Sequence, residues 1–221
     1  MVTISKAVRD VLDRKVFYRE AIGQDIISYN LLAKKLKQDV EAEIGKIVKH
    51  SAIIMALRRQ SEDIKKLNKK PSFRYSISTI KTDLFYVVLE YSPNLLDKLR
   101  NICSLIDFKK GGILNVIQGN FELAIITNIK YKEDVLDLLY DEKVLETIDD
   151  LVSLSLTYSK EFLFTPGTLY DILRFVAWEN INIIDIIITQ TELSLIINKK
   201  DLMTCYQTLG RFIENTNKNE D

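Results

Sequence analysis

Residues 165–201 read TPGTLYDILRFVAWENINIIDIIITQTELSLIINKKD. A turn at Thr165-Pro166-Gly167, an amphipathic helix to Glu179, a short polar break and two β-rich runs follow with almost no spare residues. With a strand before it and a helix from Lys199 to about Glu214 after it, this is most of a βαββαβ unit. The order of elements decides the fold class, which is α+β.

Working outward, the same order occurs once before. A strand from about Asp83 to Tyr91 is followed by Ser92-Pro93-Asn94, which caps a helix through Ile106. Gly111-Gly112 precede a strand to Ile117, and Gln118-Gly119-Asn120 turns into Phe121 to Ile126, with a helix starting near Lys132. The spacing of about 70 residues reads as an internal duplication. The second unit has no apolar run left for a fourth strand, while the first is preceded by an extra one, residues 73–79. Residues 73–79 are therefore expected to complete the sheet of the second unit, leaving the two units interleaved. The competing reading makes this strand the wing of a winged helix. Asp149-Asp150 read as a solvated loop before a strand.

The residues Thr165-Pro166-Gly167, Glu179-Asn180-Ile181-Asn182-Ile183 and Thr189-Gln190-Thr191-Glu192, with Asp201 just inside the last helix, carry a resemblance to a known family. They resemble an ACT domain of the aspartokinase regulatory type, a ferredoxin-like βαββαβ sandwich that binds free amino acids. No kinase portion accompanies it. The resemblance covers roughly residues 72–215 and implies tandem ACT units that pair within and between chains, hence a homodimer with an amino-acid effector. It implies ligand contacts at Thr165, Pro166, Gly167, Leu169, Asn182 and Ile183, with Gln190 and Glu192 further out, in a pocket shared between two units. The chemistry agrees. A helix N-terminus supplies N–H donors to a carboxylate, Gly167 lets the main chain approach closely, and Asn182 offers both a donor and an acceptor. The equivalent loop of the first unit, Ser92-Pro93-Asn94, lacks the glycine and is expected to be structural.

Residues 1–71 differ in kind. They hold 16 Lys+Arg against 9 Asp+Glu, while the rest holds 15 against 22, so a neutral chain conceals +7 and −7 halves. Val8, Val11, Leu12 and Val16 recur at helical spacing in a helix that Gly23 closes. Ser28 caps a second helix burying Tyr29, Leu32, Ala33, Leu36, Val40 and Ile44. A third begins near Ser51. This bundle reads either as a helix-turn-helix or as a cap for packing and oligomerisation. In the first case Lys49, His50, Ser51, Arg58 and Arg59 face nucleic acid, although the connection near residues 45–50 exceeds the usual turn. The expected organisation is a helical module with a basic linker over 1–71, a first unit over 72–148 and a second over 149–221.

Catalysis finds no support. His50 is the one histidine, Cys103 and Cys205 lack metal or redox spacing, and no phosphate-binding glycine loop occurs. No apolar run approaches a bilayer span, and the charges from Lys6 to Lys15 exclude a signal-peptide core. The expectation is a cytoplasmic regulatory protein with no cofactor, metal or membrane partner. It either regulates transcription or docks, without DNA, on an amino-acid biosynthetic enzyme.

Overall fold

The computed structural model describes residues 2–67 and 75–217. The chain divides into two units, Met1–Pro71 and Ser72–Asp221.

The first unit is helical: α1 (Ile4–Asp13), α2 (Val16–Gly23), α3 (Tyr29–Ile44) and α4 (His50–Leu67). Thr3 starts α1 by accepting a hydrogen bond from the Lys6 N–H at 3.2 Å. Ala7, Val8, Val11 and Leu12 fall on one face, and all are buried. The sequence suggested one helix running through Val16. The chain instead breaks at Arg14-Lys15, and Val16 is 64% exposed. Val16 keeps the apolar period, but the chain turns at Arg14-Lys15 to start α2, so Val16 no longer lies on the buried face. Gly45 ends α3 in the left-handed region at φ 75°, its N–H bonding the Glu41 carbonyl. Glu41 also accepts from the Val48 N–H at 2.9 Å, which ties the α3–α4 connection down and lets Val48 join the core.

The second unit contains one antiparallel sheet in the order β2-β3-β1-β4-β6-β5. Its elements are β1 (Ser76–Glu90), α5 (Leu95–Leu105), β2 (Leu114–Gln118), β3 (Glu122–Asn128), α6 (Lys132–Leu138), β4 (Val144–Thr157), α7 (Thr168–Trp178), β5 (Ile183–Ile188), β6 (Glu192–Asn198) and α8 (Leu202–Asn217). Alternation along the strands sorts the apolar side chains to two faces. Phe85, Val87, Leu89, Leu123 and Ile125 pack with Leu95, Ile102 and Val135 of α5 and α6. Val152, Leu154, Leu156, Leu193, Leu195 and Ile197 pack with Ile172, Val176, Cys205 and Leu209 of α7 and α8. Leu84, Ile126, Leu151 and Ile196, of opposite parity, gather with Ile113 on the other face.

The duplication is visible in the strand register. Residues 84–90 of β1 meet 128–122 of β3 pair by pair, and residues 151–157 of β4 meet 198–192 of β6 in the same way. Between them β1 and β4 run antiparallel over their whole length, from Ser76↔Thr157 through Leu84↔Leu151 to Leu89↔Val144. Shifting each partner by the offset that separates Leu84 from Leu151 turns Lys81↔Ser153 into Ile148↔Tyr86 and Thr79↔Ser155 into Glu146↔Val88, which are also pairs. The register thus has a two-fold centre beside Leu84 and Leu151. Of the strand expected at residues 73–79, 73 and 74 lie outside the described residues. Residues 76–81 pair with 157–153 of β4, and the first described strand runs unbroken to Glu90. Asp149 and Asp150 are inside β4 rather than in a loop before it. There the strand kinks, Asp150 taking φ 54°, and the Asp149 carboxylate bonds the Lys132 ammonium.

Candidate functional site

The connection from β4 to α7 is built on Tyr158. Its ring stacks on Phe162 at 3.9 Å between centroids, and its N–H donates to the Thr191 carbonyl at 3.0 Å. Its hydroxyl lies 2.7 Å from the Thr189 carbonyl and 2.9 Å from that of Glu192, a shared donation. Burial, and then Glu192, push the phenol's pKa up, so it stays a donor. The β5–β6 hairpin, closed by the Thr189 N–H on the Glu192 carbonyl at 2.8 Å, is thereby pinned to this loop.

From Phe162 the chain makes a short turn to Thr165, whose hydroxyl donates to the Glu161 carbonyl at 3.0 Å. Pro166 follows and holds Thr165 extended, at φ −103° and ψ 113°. Gly167 is the N-cap of α7 at φ 83°, a region that side chains avoid. Having no side chain, Gly167 gives no side-chain cap of its own, and Asp171 lies in the first turn of the helix. The buried Thr168 turns its hydroxyl back onto the carbonyls of Phe162 (3.1 Å) and Thr165 (2.9 Å), which fixes the turn against the helix start. Leu169 is half-buried against the core below. Tyr75 closes the floor, its ring 6.0 Å from Phe162 and 5.2 Å from Phe212, and burial, then Asp171, push its phenol up to about 12.

Thr165, Pro166, Gly167, Leu169, Gln190 and Glu192 therefore share one end of the unit. Asn182 and Ile183 do not. The helix α7 has 11 residues, about 16 Å. It ends in a Schellman motif in which Asn180 takes φ 56°, its N–H bonding the Ala177 carbonyl and the Ile181 N–H that of Val176. Asn182 follows, exposed, at the far end where Ile183 of β5 pairs with Ile197. In the helical unit Lys49, Ser51, Arg58 and Arg59 face solvent, while the half-buried His50 bonds the Asn30 side chain at 2.8 Å.

Sequence reasoning passed over Tyr158 and Tyr75, although Tyr91 and Tyr158 occupy equivalent places in the two units, and the Tyr91 N–H bonds the Phe121 carbonyl as Tyr158 bonds Thr191. It also passed over the outer surface of α7. A groove of ≈ 430 Å³ is lined by Arg174, Phe175, Trp178, Glu179, Thr208 and Arg211, and a more open one of ≈ 500 Å³ by Tyr170, Leu173, Arg174, Ala177, Trp178 and Asn180. Trp178, between them, is 80% exposed.

The corresponding end of the first unit is filled from within. The Glu142 carboxylate, 6% exposed, takes the Lys98 ammonium at 2.9 Å and the Ser92 hydroxyl at 2.7 Å, beside the start of α5. Both contacts lower its pKa, Lys98 the more. Among the described residues no group of three or more His, Cys, Asp or Glu is placed to hold a metal ion, and no helix is long and apolar enough to cross a membrane.

No family model matches the chain, and no curated protein matches it in sequence. In structure it is similar to the ligand-free regulatory subunit of aspartate kinase from Thermus thermophilus, with a TM-score of 0.52 and 15% identity over 62% of this chain and 97% of that one. It is similar to the same subunit from Thermus flavus, with a TM-score of 0.50 and 14% identity over 64% and 96%. It is also similar to the aspartate kinase of Clostridium acetobutylicum, with a TM-score of 0.51 and 13% identity over 64% of this chain but 35% of that one. The aligned share is larger than Met1–Pro71 supplies, so the sheet unit carries the likeness. The fold of that unit is that of aspartate kinase regulatory subunits.

Proposed function

We propose that this protein senses a small molecule, an amino acid, through two interleaved ACT units, and that the second unit holds the effector. The observation that carries the reading is the start of α7. A left-handed Gly167 lets another group approach the backbone closely there, and Tyr158 locks the surrounding loop to the hairpin. A carboxylate fits such an end. The first unit is the structural partner, because its own Glu142 already occupies the matching end.

The separation of Asn182 from Gly167 fits a site completed by a second copy. The strand β5 is at the edge of the sheet, with α7 and its exposed Trp178 beside it. Two β5 strands pairing antiparallel about a two-fold axis bring the Asn182 end of one beside the loop end of the other. The homodimer then carries two effector sites, each with Thr165, Pro166, Gly167 and Leu169 from one copy and Asn182 and Ile183 from the other. Gln190 and Glu192 line the rim.

A thermal-shift screen of the full chain against the twenty amino acids tests this. One amino acid should raise stability by about 2.7 kcal/mol at a hundredfold excess over its Kd. Asn182→Ala and Gly167→Val should each abolish the shift while leaving a folded protein. No shift with any amino acid would leave the unit as an assembly scaffold.

A further inference from the structure

We infer that the helical unit binds the phosphate backbone of duplex DNA through the solvent side of α4 and the first half of α3. The inference rests on where the surplus positive charge lies and stands apart from the amino-acid reading. Among the described residues of this unit, six carboxylates are met by ion pairs. Asp13 pairs with Arg19, Asp25 with Lys65, Asp39 with Lys15, Glu41 with Lys37, Glu43 with Arg14 and Asp63 with Arg9. These pairs draw their cations from α1, the break after it, α2, the middle of α3 and the last turn of α4. Asp39, Glu41 and Glu43, which would otherwise interrupt a positive surface, are thereby cancelled.

What is left over is not scattered. Apart from Lys6 near the chain start, the cations up to Lys65 that join no ion pair among the described residues are Lys34, Lys35, Lys46, Lys49, Arg58 and Arg59. On α4, Ser51, Met55, Arg58 and Arg59 are exposed on one stripe, opposite the buried Ile53, Ala56, Leu57 and Gln60. On α3, Lys34 and Lys35 are exposed opposite Leu32, Ala33 and Leu36. The bond from His50 Nε2 to Asn30 Oδ1, 2.8 Å, holds the first turns of the two helices together, so both basic stripes start from one corner. Lys46 and Lys49 sit on the connection entering that corner. From Lys49 to Arg59 the helix runs about 15 Å, comparable with the roughly 12 Å width of the major groove. Glu62 is the one carboxylate on the stripe, and it lies beyond this span. Cations that join no ion pair among the described residues stand at both ends of that span, with the exposed Ser51 and Met55 between them. The polar Asn30 and His50 lie beside the first, an arrangement that suits a polyanion with charges spaced along it.

The test is titration of the full-length protein into a labelled mixed-sequence duplex of about 30 bp, in steps from about 50 to about 200 mM salt. With five cations on phosphates, log K should fall against log salt with a slope of about −4.5, a loss of several hundredfold over that range. The triple variant Lys49→Ala/Arg58→Ala/Arg59→Ala should lower low-salt affinity more than tenfold and flatten the slope by about 2 to 3. Arg14→Ala/Lys15→Ala, whose cations are already paired, should change neither. If the triple variant fails to fold, Arg58→Gln/Arg59→Gln gives the same comparison at two solvent-facing positions. Absence of binding at low salt, a slope near zero, or equal loss in the Arg14/Lys15 variant would overturn the inference. So would capture by phosphatidylserine vesicles without duplex binding, which would reassign the face to a membrane surface.

Discussion

Asp83 and Asp150 hold the same left-handed backbone, φ 58° and 54°, each immediately before the leucine of the pair Leu84↔Leu151 at the centre of the sheet. Each carries a kink that lets one long strand serve both halves of the sheet. Asp83 is bonded to Lys199 at 2.9 Å, and Asp149, next to Asp150, to Lys132. A non-glycine residue in this region is strained, and Asp is among the residues that tolerate it best.

Replacing Asp150 therefore separates strain from chemistry. Asp150→Gly should be neutral or stabilising by up to about 1 kcal/mol, whereas Asp150→Val should cost about 1–2 kcal/mol because a β-branched side chain does not tolerate this φ. Urea midpoints at unchanged m-value measure both. Equal effects of the two substitutions would show that the kink stores no strain.

Tyr158 holds loop to hairpin by one hydroxyl shared between two carbonyls. Tyr158→Phe keeps the stacking on Phe162 and removes only that donation. It should cost about 1–2 kcal/mol and speed amide exchange at residues 189–192 more than elsewhere in the sheet. Uniform exchange across the sheet would mean that the hairpin is held by its own turn.

The Glu142 carboxylate is held below its ordinary 4.5, first by Lys98 and then by Ser92. A carboxyl depressed by folding contributes stability above its unfolded pKa and loses it as pH falls through the folded value. The stability difference between the native protein and Glu142→Gln should thus be constant from neutral pH down to about 5. It should shrink as the pH falls further below 4.5. Chemical denaturation at a series of pH values checks this. A difference that grows on acidification would contradict it.

The two free cysteines should differ in reactivity. Cys205 is buried in the core with its thiol pushed up to about 12 by burial and then by Asp201, while Cys103 is exposed on α5. At pH 8 a thiol reagent should label one cysteine rapidly and the other only on unfolding, because the thiolate is the reacting species. Mass spectrometry of the labelled peptides identifies which.

The stretch from Thr165 to Asp201 was legible because each of its elements follows from local rules. A proline holds the preceding residue extended, a glycine takes positive φ before a helix, and strands alternate. The break at Arg14-Lys15 was not legible, since the apolar period alone continues to Val16 and only the packing of α1 against α4 decides that Val16 faces water. Asp149 and Asp150 misled for a related reason. Two adjacent acids read as a solvated loop, yet a long strand tolerates them where a kink turns one backbone and a lysine meets one side chain.

By itself the sequence determined the kinds of element, their order, the internal duplication and the candidate loop around Gly167, because these depend on spacing and on single-residue conformational preference. Only the tertiary structure decided the rest. It ran β1 and β4 past each other, filled the first unit's end with Glu142 and set Asn182 about a helix length from Gly167. It also paired acids of the helical unit with cations from distant positions along the chain, as Glu43 with Arg14 and Asp39 with Lys15. These are relations between residues distant along the chain, and no local preference encodes which distant partner a strand, a carboxylate or a lysine will meet.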